Sequence, residues 1–483
     1  MLGKINEYLT KNVENYPDDC GIIYRVGEEY KEVTNKEIYT YVTSLVSYLQ
    51  DKYKNVAVIG GNKLEWLISF WAVLGYLGNV IAIDKELDKE SIVKLFEQVK
   101  PDLIILDDDL NLNFEDVDVL KFSEVNKIMN EENGGVLKAT HLGELYLHTS
   151  GTTGFQKIVK LTEDNLFGVI PELNKKWKAS HKDSCLFIIP MYHIYALTTM
   201  FHSLYAGVNI ILENDYKRMG QVLQATKPTL FMGVPLMYNK IKEAMLANNE
   251  KLIMRMIKIS NCLLKIGIDL RKKIFKKAHA YFGGNYFFGC SAGSLLAYDT
   301  NKFFNDIGLP IYNVYGMTET AGPVAMNYKK NNDYNSVGKI LDVNDVKIEN
   351  ADSENVGEIW VKGSNVFEGY LGDKDVEYIK NGYFYTGDIG YIKKGFLYVL
   401  GRKKNILIGD NGKNIAPEEL IRILIKHKGI NDCNVVMKEN KLHAIINTEL
   451  TDEEVKKIID EVNSKLPNYK KIFDFETTTK NIK

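Results

Sequence analysis

The sequence predicts an α/β protein: a large N-terminal domain of mostly parallel β-sheets flanked by helices, with a β-rich subdomain, then a small mobile α+β C-terminal domain. Three observations predict it. Short apolar strands alternate with helical patterns through the first two-thirds of the chain. Those strands are continuous branched runs, as expected when both sheet faces are covered. From about residue 335 the texture changes to Gly-punctuated β-hairpins.

The strands read as NVAVIG (55–60), NVIAID (79–84), DLIILD (102–107), SCLFII (184–189), VNIILE (208–213) and TLFMGV (229–234), with helical segments such as 216–226 and 236–248 between them. The most apolar helix candidate, Leu64 to Ile81, carries Glu65 and runs into the strand-like VIAID. It reads as a buried helix rather than a membrane span. GEIWVKG (357–363) and YIKKGFLYVLG (391–401) supply the hairpins. A boundary falls near Arg402–Lys404, dividing 1–401 from 402–483. Beyond it, Pro417 opens one helix, and Thr451 with Glu454 forms a capping box ahead of Val455, Ile458, Ile459 and Val462. The absence of a long linker predicts a short hinge.

At 483 residues, 45% hydrophobic and 26% charged, the composition is that of an ordinary soluble protein with more than one core. Lys+Arg 61 against Asp+Glu 63 leaves −2, which gives no sign of nucleic acid or an anionic membrane as the main partner. The five cysteines are scattered without CxxC or Cys/His metal spacing, and the first residues carry no apolar signal-peptide core. Reduced thiols and a cytoplasmic location are expected.

Five segments carry chemistry. In LHTSGTTGFQKIVKLT (147–162), the run Thr149, Ser150, Gly151, Thr152, Thr153, Gly154 offers backbone N–H groups and hydroxyls to a polyphosphate, and Lys157 adds a charge. The spacing is not that of a P-loop ATPase. The same composition also fits a plain flexible loop. PMYHIYAL (190–197) puts His193 and Tyr195 at the mouth of a pocket, or simply in the packing. YNVYGMTETAG (312–322) offers the Tyr315 ring to a base, the Thr318 hydroxyl to a phosphate and Glu319 to Mg²⁺; a helix start with polar caps is the competing reading. In YFYTGDIGYI (383–392), Asp388 stands after Gly387 in a turn and can accept ribose hydroxyls, although Asp in a turn is common. In LGRKKNILIGDNGKNIAPEEL (400–420), Arg402 can reach ribose or phosphate.

In this order, the segments resemble the adenylate-forming (AMP-binding) superfamily of acyl- and aryl-CoA synthetases, luciferases and peptide-synthetase adenylation domains. TSGTTGFQK is similar to its phosphate loop, YGMTET to its adenine and Mg²⁺ motif, YFYTGD to its ribose motif, and the 400–420 segment to its hinge and thiol tunnel. SAGSL (291–295) resembles the adenine and acyl pocket segment, with Ser291, Ala292 and Gly293 replacing the first three residues of a Gly-Gly-Ala-Pro form. By position Lys404 matches the hinge residue.

The resemblance implies a two-step ligase using ATP, Mg²⁺ and coenzyme A. A carboxylate attacks the α-phosphorus, pyrophosphate leaves, the C-terminal domain rotates, and a thiol displaces AMP. Lys157, Thr318, His193 and Lys480 are the implied catalytic residues. Thr149 to Gly154, Ser291 to Gly293, Tyr315, Gly316, Thr318, Glu319, Asp388 and Arg402 are the implied nucleotide contacts, with Glu319 as metal ligand. The loop departs from the family at Gln156 and Ile158. The C-terminus, FDFETTTKNIK, lacks the family's Gly-Lys pair; Lys480 is its best match and Lys483 the next. PMYHIYAL has no acidic residue where amino-acid-activating relatives carry Asp, so a fatty or aryl acid is expected. A carrier-protein phosphopantetheine is the alternative acceptor, and a non-catalytic acyl- or adenylate-binding protein the alternative of another class.

Overall fold

The computed structural model describes residues 3–131, 143–149, 157–247, 249–373, 378–408, 414–438 and 441–480. The chain divides into two units. One comprises Met1–Tyr334, Leu341–Asn344 and Gly363–Val376; the other comprises Asn335–Ile340, Asp345–Lys362 and Glu377–Lys483.

The first unit holds two sheet regions. One runs, edge to edge, Asp118–Lys121, Leu103–Leu106, Asn55–Ile59, Asn79–Ile83, Leu145–His148 and Ile158–Leu161. Its strands are parallel except the last pair, which is an antiparallel hairpin. Ala57, Ile59, Ile81 and Ile83 pack with Ile92, Leu95 and Val99 of the helix Lys89–Val99, so apolar runs suit these positions. In the other region the order is Gly322–Met326, Ile311–Met317, Phe288–Ser291, Leu230–Gly233, Ser184–Phe187, Asn209–Leu212, Cys20–Val26 and Glu29–Thr34. The inner six are parallel and the two edge pairs antiparallel.

The expected strands are present, trimmed at their ends. SCLFII stops at Phe187 because a side chain replaces the ladder: Asn62 Nδ2 donates to the Phe187 and Ile189 carbonyls, 3.0 Å each, and its Oδ1 accepts from Met191 N at 3.0 Å. The apolar stretch from Leu64 is a buried helix to Ala72, then one π-helical turn, Val73–Leu77. Gly78 ends it where a Cβ would lie 2.3 Å from the Lys54 carbonyl oxygen. Among the described residues no helix is long and apolar enough to cross a membrane.

The second unit holds the strands Asn344–Glu349, Gly357–Gly363, Tyr383–Lys393, Phe396–Arg402 and Gly338–Ile340, in that order, the last four paired antiparallel. It also holds a smaller sheet, Ile430–Lys438, Lys441–Thr448 and Ile472–Thr478. That sheet shares a core with two helices through Leu420, Leu424, Val455, Ile459 and Val462. Pro417 is the first residue of one helix, and Thr451 and Glu454 cap the other reciprocally.

Candidate active site

The strand Leu145–His148 leads into the Ser/Thr/Gly loop and Ile158–Leu161 leads out of it. The base of the loop is pinned: Thr149 N donates to the Lys157 carbonyl at 2.9 Å, and His148 pairs with Ile158. Ser150, Gly151, Thr152, Thr153 and Gly154 lie outside the described residues. The Lys157 ammonium sits 4.5 Å over the Tyr370 ring and 3.5 Å from Asp373. Leu371 N donates to the Ile158 carbonyl at 2.8 Å, which fastens the Tyr370 segment beside the loop.

Glu319 reaches the same place from another strand. Ile311–Met317 ends in a 3₁₀ turn, Thr318–Thr320, not in a helix start. Thr320 Oγ1 accepts from Met317 N at 2.9 Å and donates to the Gly322 carbonyl at 2.7 Å, which closes the turn. Glu319 is 7% exposed, and Tyr370 Oη donates to its Oε1 at 2.8 Å. Tyr370 thus touches both the Glu319 carboxylate and the Lys157 ammonium. Thr318, the first residue of the turn, and Tyr315, in the strand before it, are half-buried. Gly316 has a backbone reason for being glycine: a Cβ there would lie 2.0 Å from the Gly322 carbonyl oxygen.

A third group gathers where parallel strands end, the usual ligand crevice of α/β sheets. Asp84 follows the strand Asn79–Ile83, and its N–H donates to His148 Nε2 at 3.3 Å, which assigns the His148 proton to Nδ1. The Tyr192 phenol hydrogen-bonds the Asp84 carboxylate; burial and that carboxylate both push its pKa up, so it remains a donor. His193 stands at the N-cap of the helix Ile194–Ala206 with its ring 4.5 Å from Tyr192. It keeps an exposed edge, yet packing holds its pKa below the usual imidazole range, opposed by Asp84. Burial lowers His148 similarly. Both imidazoles are neutral at neutral pH.

Tyr195 points inward rather than to a pocket mouth. Its hydroxyl donates to the Cys290 carbonyl at 3.0 Å, which also accepts from Tyr238 at 2.9 Å. Next in the chain, Ser291 is 1% exposed and its Oγ has no hydrogen-bond partner among the described residues. Ala292 is buried; Gly293 has φ +85° with open space where a Cβ would be. A buried donor left without a hydrogen-bond partner is suited to a ligand.

In the second unit, Asp388 lies within the strand Tyr383–Lys393 and not in a turn. The extra residues are absorbed in a bulge holding Gly387 at φ +69°. Asp388 is 5% exposed; Arg402 Nε sits 3.1 Å from its Oδ1 and Nη1 donates to the Thr386 carbonyl at 3.2 Å. Lys480 is exposed, its carbonyl accepting from Asn447 at 3.1 Å; Lys483 lies outside the described residues.

The model of the family described as AMP-binding enzyme matches residues 9–371. The chain belongs to the AMP-binding enzyme family. Its relatives include the 2-succinylbenzoate–CoA ligase of Lactococcus lactis, 25% identical with 89% of this chain and 86% of that one covered. The long-chain-fatty-acid–CoA ligase ACSBG2 of Mus musculus is also 25% identical, with 88% and 73% covered. The O-succinylbenzoate coenzyme A synthetase (MenE) of Bacillus subtilis, solved with ATP and magnesium ion, shares the fold. Its TM-score is 0.76, at 20% identity over 98% of this chain and 95% of that one.

Three residues of this AMP-binding enzyme carry no motif signal: Asn62, Asp84 and Tyr370. Asp84 had one indirect sign, a carboxylate at the carboxyl end of a parallel strand.

Proposed function

We propose that this enzyme activates a fatty or aryl carboxylic acid with ATP and transfers the acyl group to coenzyme A. The observation that carries the reading is the Lys157–Tyr370–Glu319 arrangement at the base of the hydroxyl-rich loop. The CoA-ligase names of the relatives support it. In the first step a carboxylate oxygen attacks the α-phosphorus, the bond to the bridging oxygen breaks, and pyrophosphate leaves. In the second, sulfur attacks the acyl carbon, the thiol proton is lost, and AMP departs with its phosphate oxygen.

The attack joins two anions, so charge on phosphate governs the barrier. Lys157 and the donors of Thr149 to Gly154 and Thr318 are assigned to the phosphates. Glu319 fits magnesium: it is a buried hard-oxygen donor, and Mg²⁺ needs only one or two carboxylates besides phosphates and water. A magnesium ion there supplies positive charge to the phosphate oxygens. Tyr315, Gly316 and Ser291 to Gly293 are assigned to adenine, Asp388 and Arg402 to ribose, and Lys480 to the adenylation step. His193 and Tyr192 are assigned to the acid, with the Asp84 carboxylate engaged by the Tyr192 phenol rather than offered to an ammonium. All five cysteines are free thiols, which supports a cytoplasmic setting.

Product analysis tests the reading. With ATP, Mg²⁺, coenzyme A and a panel of fatty and aryl acids, one acid class should give acyl-CoA, AMP and pyrophosphate in equal amounts. ADP and phosphate as products would contradict it, and acylation of a carrier protein but not of coenzyme A would move the acceptor.

A further inference from the structure

We propose that the surface formed by the helix Glu250–Lys265 and the segment that follows it to Lys277 docks on an anionic lipid bilayer. The proposal rests on no catalytic assignment. Between Glu250 and Lys277 the chain has nine Lys or Arg residues against two acidic ones, Glu250 and Asp269. Asp269 is engaged by Arg271 at 2.6 Å. The whole-chain charge of −2 hides this local excess.

The helix has three faces. Ile257 and Ser260 are buried, and Ile253 and Met256 pack on the core of the first unit. Lys251, Arg255, Lys258 and Lys265 form an exposed cationic stripe at alternating spacings of four, three and seven residues. Leu252 and Ile259, seven residues apart, fall between the stripe and the buried face at about 100° per residue. Both are exposed, Ile259 at 59%, and Ile266 continues their line at 70%. The lysine pairs at 272–273 and 276–277 extend the charge beyond the helix. A cavity of about 610 Å³ lies on the packed side of the helix, at Ile253 and Met256; of the exposed line only Leu252 borders it, and Lys276 and Lys277 are in its lining.

Apolar residues bordered by lysines are the pattern of a helix lying in the headgroup plane, where aliphatic side chains enter the acyl boundary and ammonium groups meet lipid phosphate. Nucleic acid would use the cations but gives the exposed isoleucines and leucine no role, so lipid fits the combination better.

Cys262 lies on the cationic stripe with an exposed thiol, while Cys185, Cys290 and Cys433 are buried. In a Cys20→Ser background, an environment-sensitive fluorophore on Cys262 therefore reports this face. Its emission should shift to the blue with vesicles containing about 30 mol% phosphatidylglycerol and not with phosphatidylcholine alone. The shift should vanish in about 0.5 M KCl. Flotation of unlabelled full-length protein gives the second readout. Lys251→Glu with Lys258→Glu should weaken flotation by about tenfold or more. Ile259→Ser with Ile266→Ser should weaken it as well. All four positions are exposed, so the variants should keep the wild-type melting temperature. No blue shift, equal binding to both vesicle types, flotation unchanged in both variants, or displacement of vesicles by double-stranded DNA or RNA would each overturn the proposal.

Discussion

Tyr370 donates its hydroxyl to Glu319 Oε1 at 2.8 Å while its ring lies 4.5 Å below the Lys157 ammonium. One side chain therefore positions both groups assigned to the triphosphate. Tyr370→Phe keeps the ring under Lys157 and removes only the hydrogen bond. A hydrogen bond to a charged group is worth about 1.5–3 kcal/mol. Adenylation should fall by about tenfold to a hundredfold, with thiol transfer from a supplied acyl-adenylate unchanged. Glu319→Gln should cost more. Equal adenylation rates in Tyr370→Phe and wild type would show that the bond does not position Glu319.

The Asp388 assignment is tested by ATP binding. Its carboxylate is buried and held by Arg402. If it also accepts ribose hydroxyls, Asp388→Ala should weaken ATP binding by about 2–3 kcal/mol, read by calorimetry. The Arg402 side chain is half exposed, so solvent should cushion its loss of a partner. An unchanged affinity would remove Asp388 from the nucleotide contacts.

His202 sets an acid limit to stability. It is fully buried, and burial alone pushes its pKa from 6.5 down to about 3. The unfolded chain binds that proton near pH 6.5 and the folded chain only near 3, so in this window the unfolded state holds more protons and stability rises with pH. Its contribution is complete above pH 6.5 and is lost as pH falls, by about 1.4 kcal/mol per pH unit. His202→Gln, which can still bond Asn174, should flatten the dependence by about that slope in urea unfolding at several pH values. Parallel curves for variant and wild type would contradict the burial argument.

Gly316→Ala should be poorly tolerated, because the clash is with the backbone oxygen of Gly322 and not with a movable side chain. Strained insertions typically cost about 1–3 kcal/mol, and the loss should appear as a lower urea midpoint. A variant of wild-type stability would mean that the two strands separate easily there.

The strands were legible in the sequence because continuous branched runs suit parallel strands covered by helices, and the Thr451 cap because its residues are local. The Glu319 segment stood out because its residue types sit together, but its 3₁₀ turn did not, since a helix start has the same polar residues; most of the Ser/Thr/Gly loop lies outside the described residues. Asn62, Asp84 and Tyr370 were not legible. Each acts on groups far away in the chain: Asp84 meets His148 across 64 residues, and Tyr370 meets Glu319 across 51. Asp388 was misread as a turn residue because Gly387 looks the same in a turn as in a bulge. The basic face of Glu250–Lys265 was invisible in a total that cancels.

The most direct test of the central claim is ATP–pyrophosphate exchange with Mg²⁺, no thiol, and fatty or aryl acids, comparing wild type with Lys480→Ala. Acid-dependent exchange in wild type, lost in Lys480→Ala while thiol transfer from a synthetic acyl-adenylate survives, is the predicted result. Absence of exchange with every acid, in protein that binds ATP and also fails to transfer from the supplied adenylate, would contradict the ligase reading.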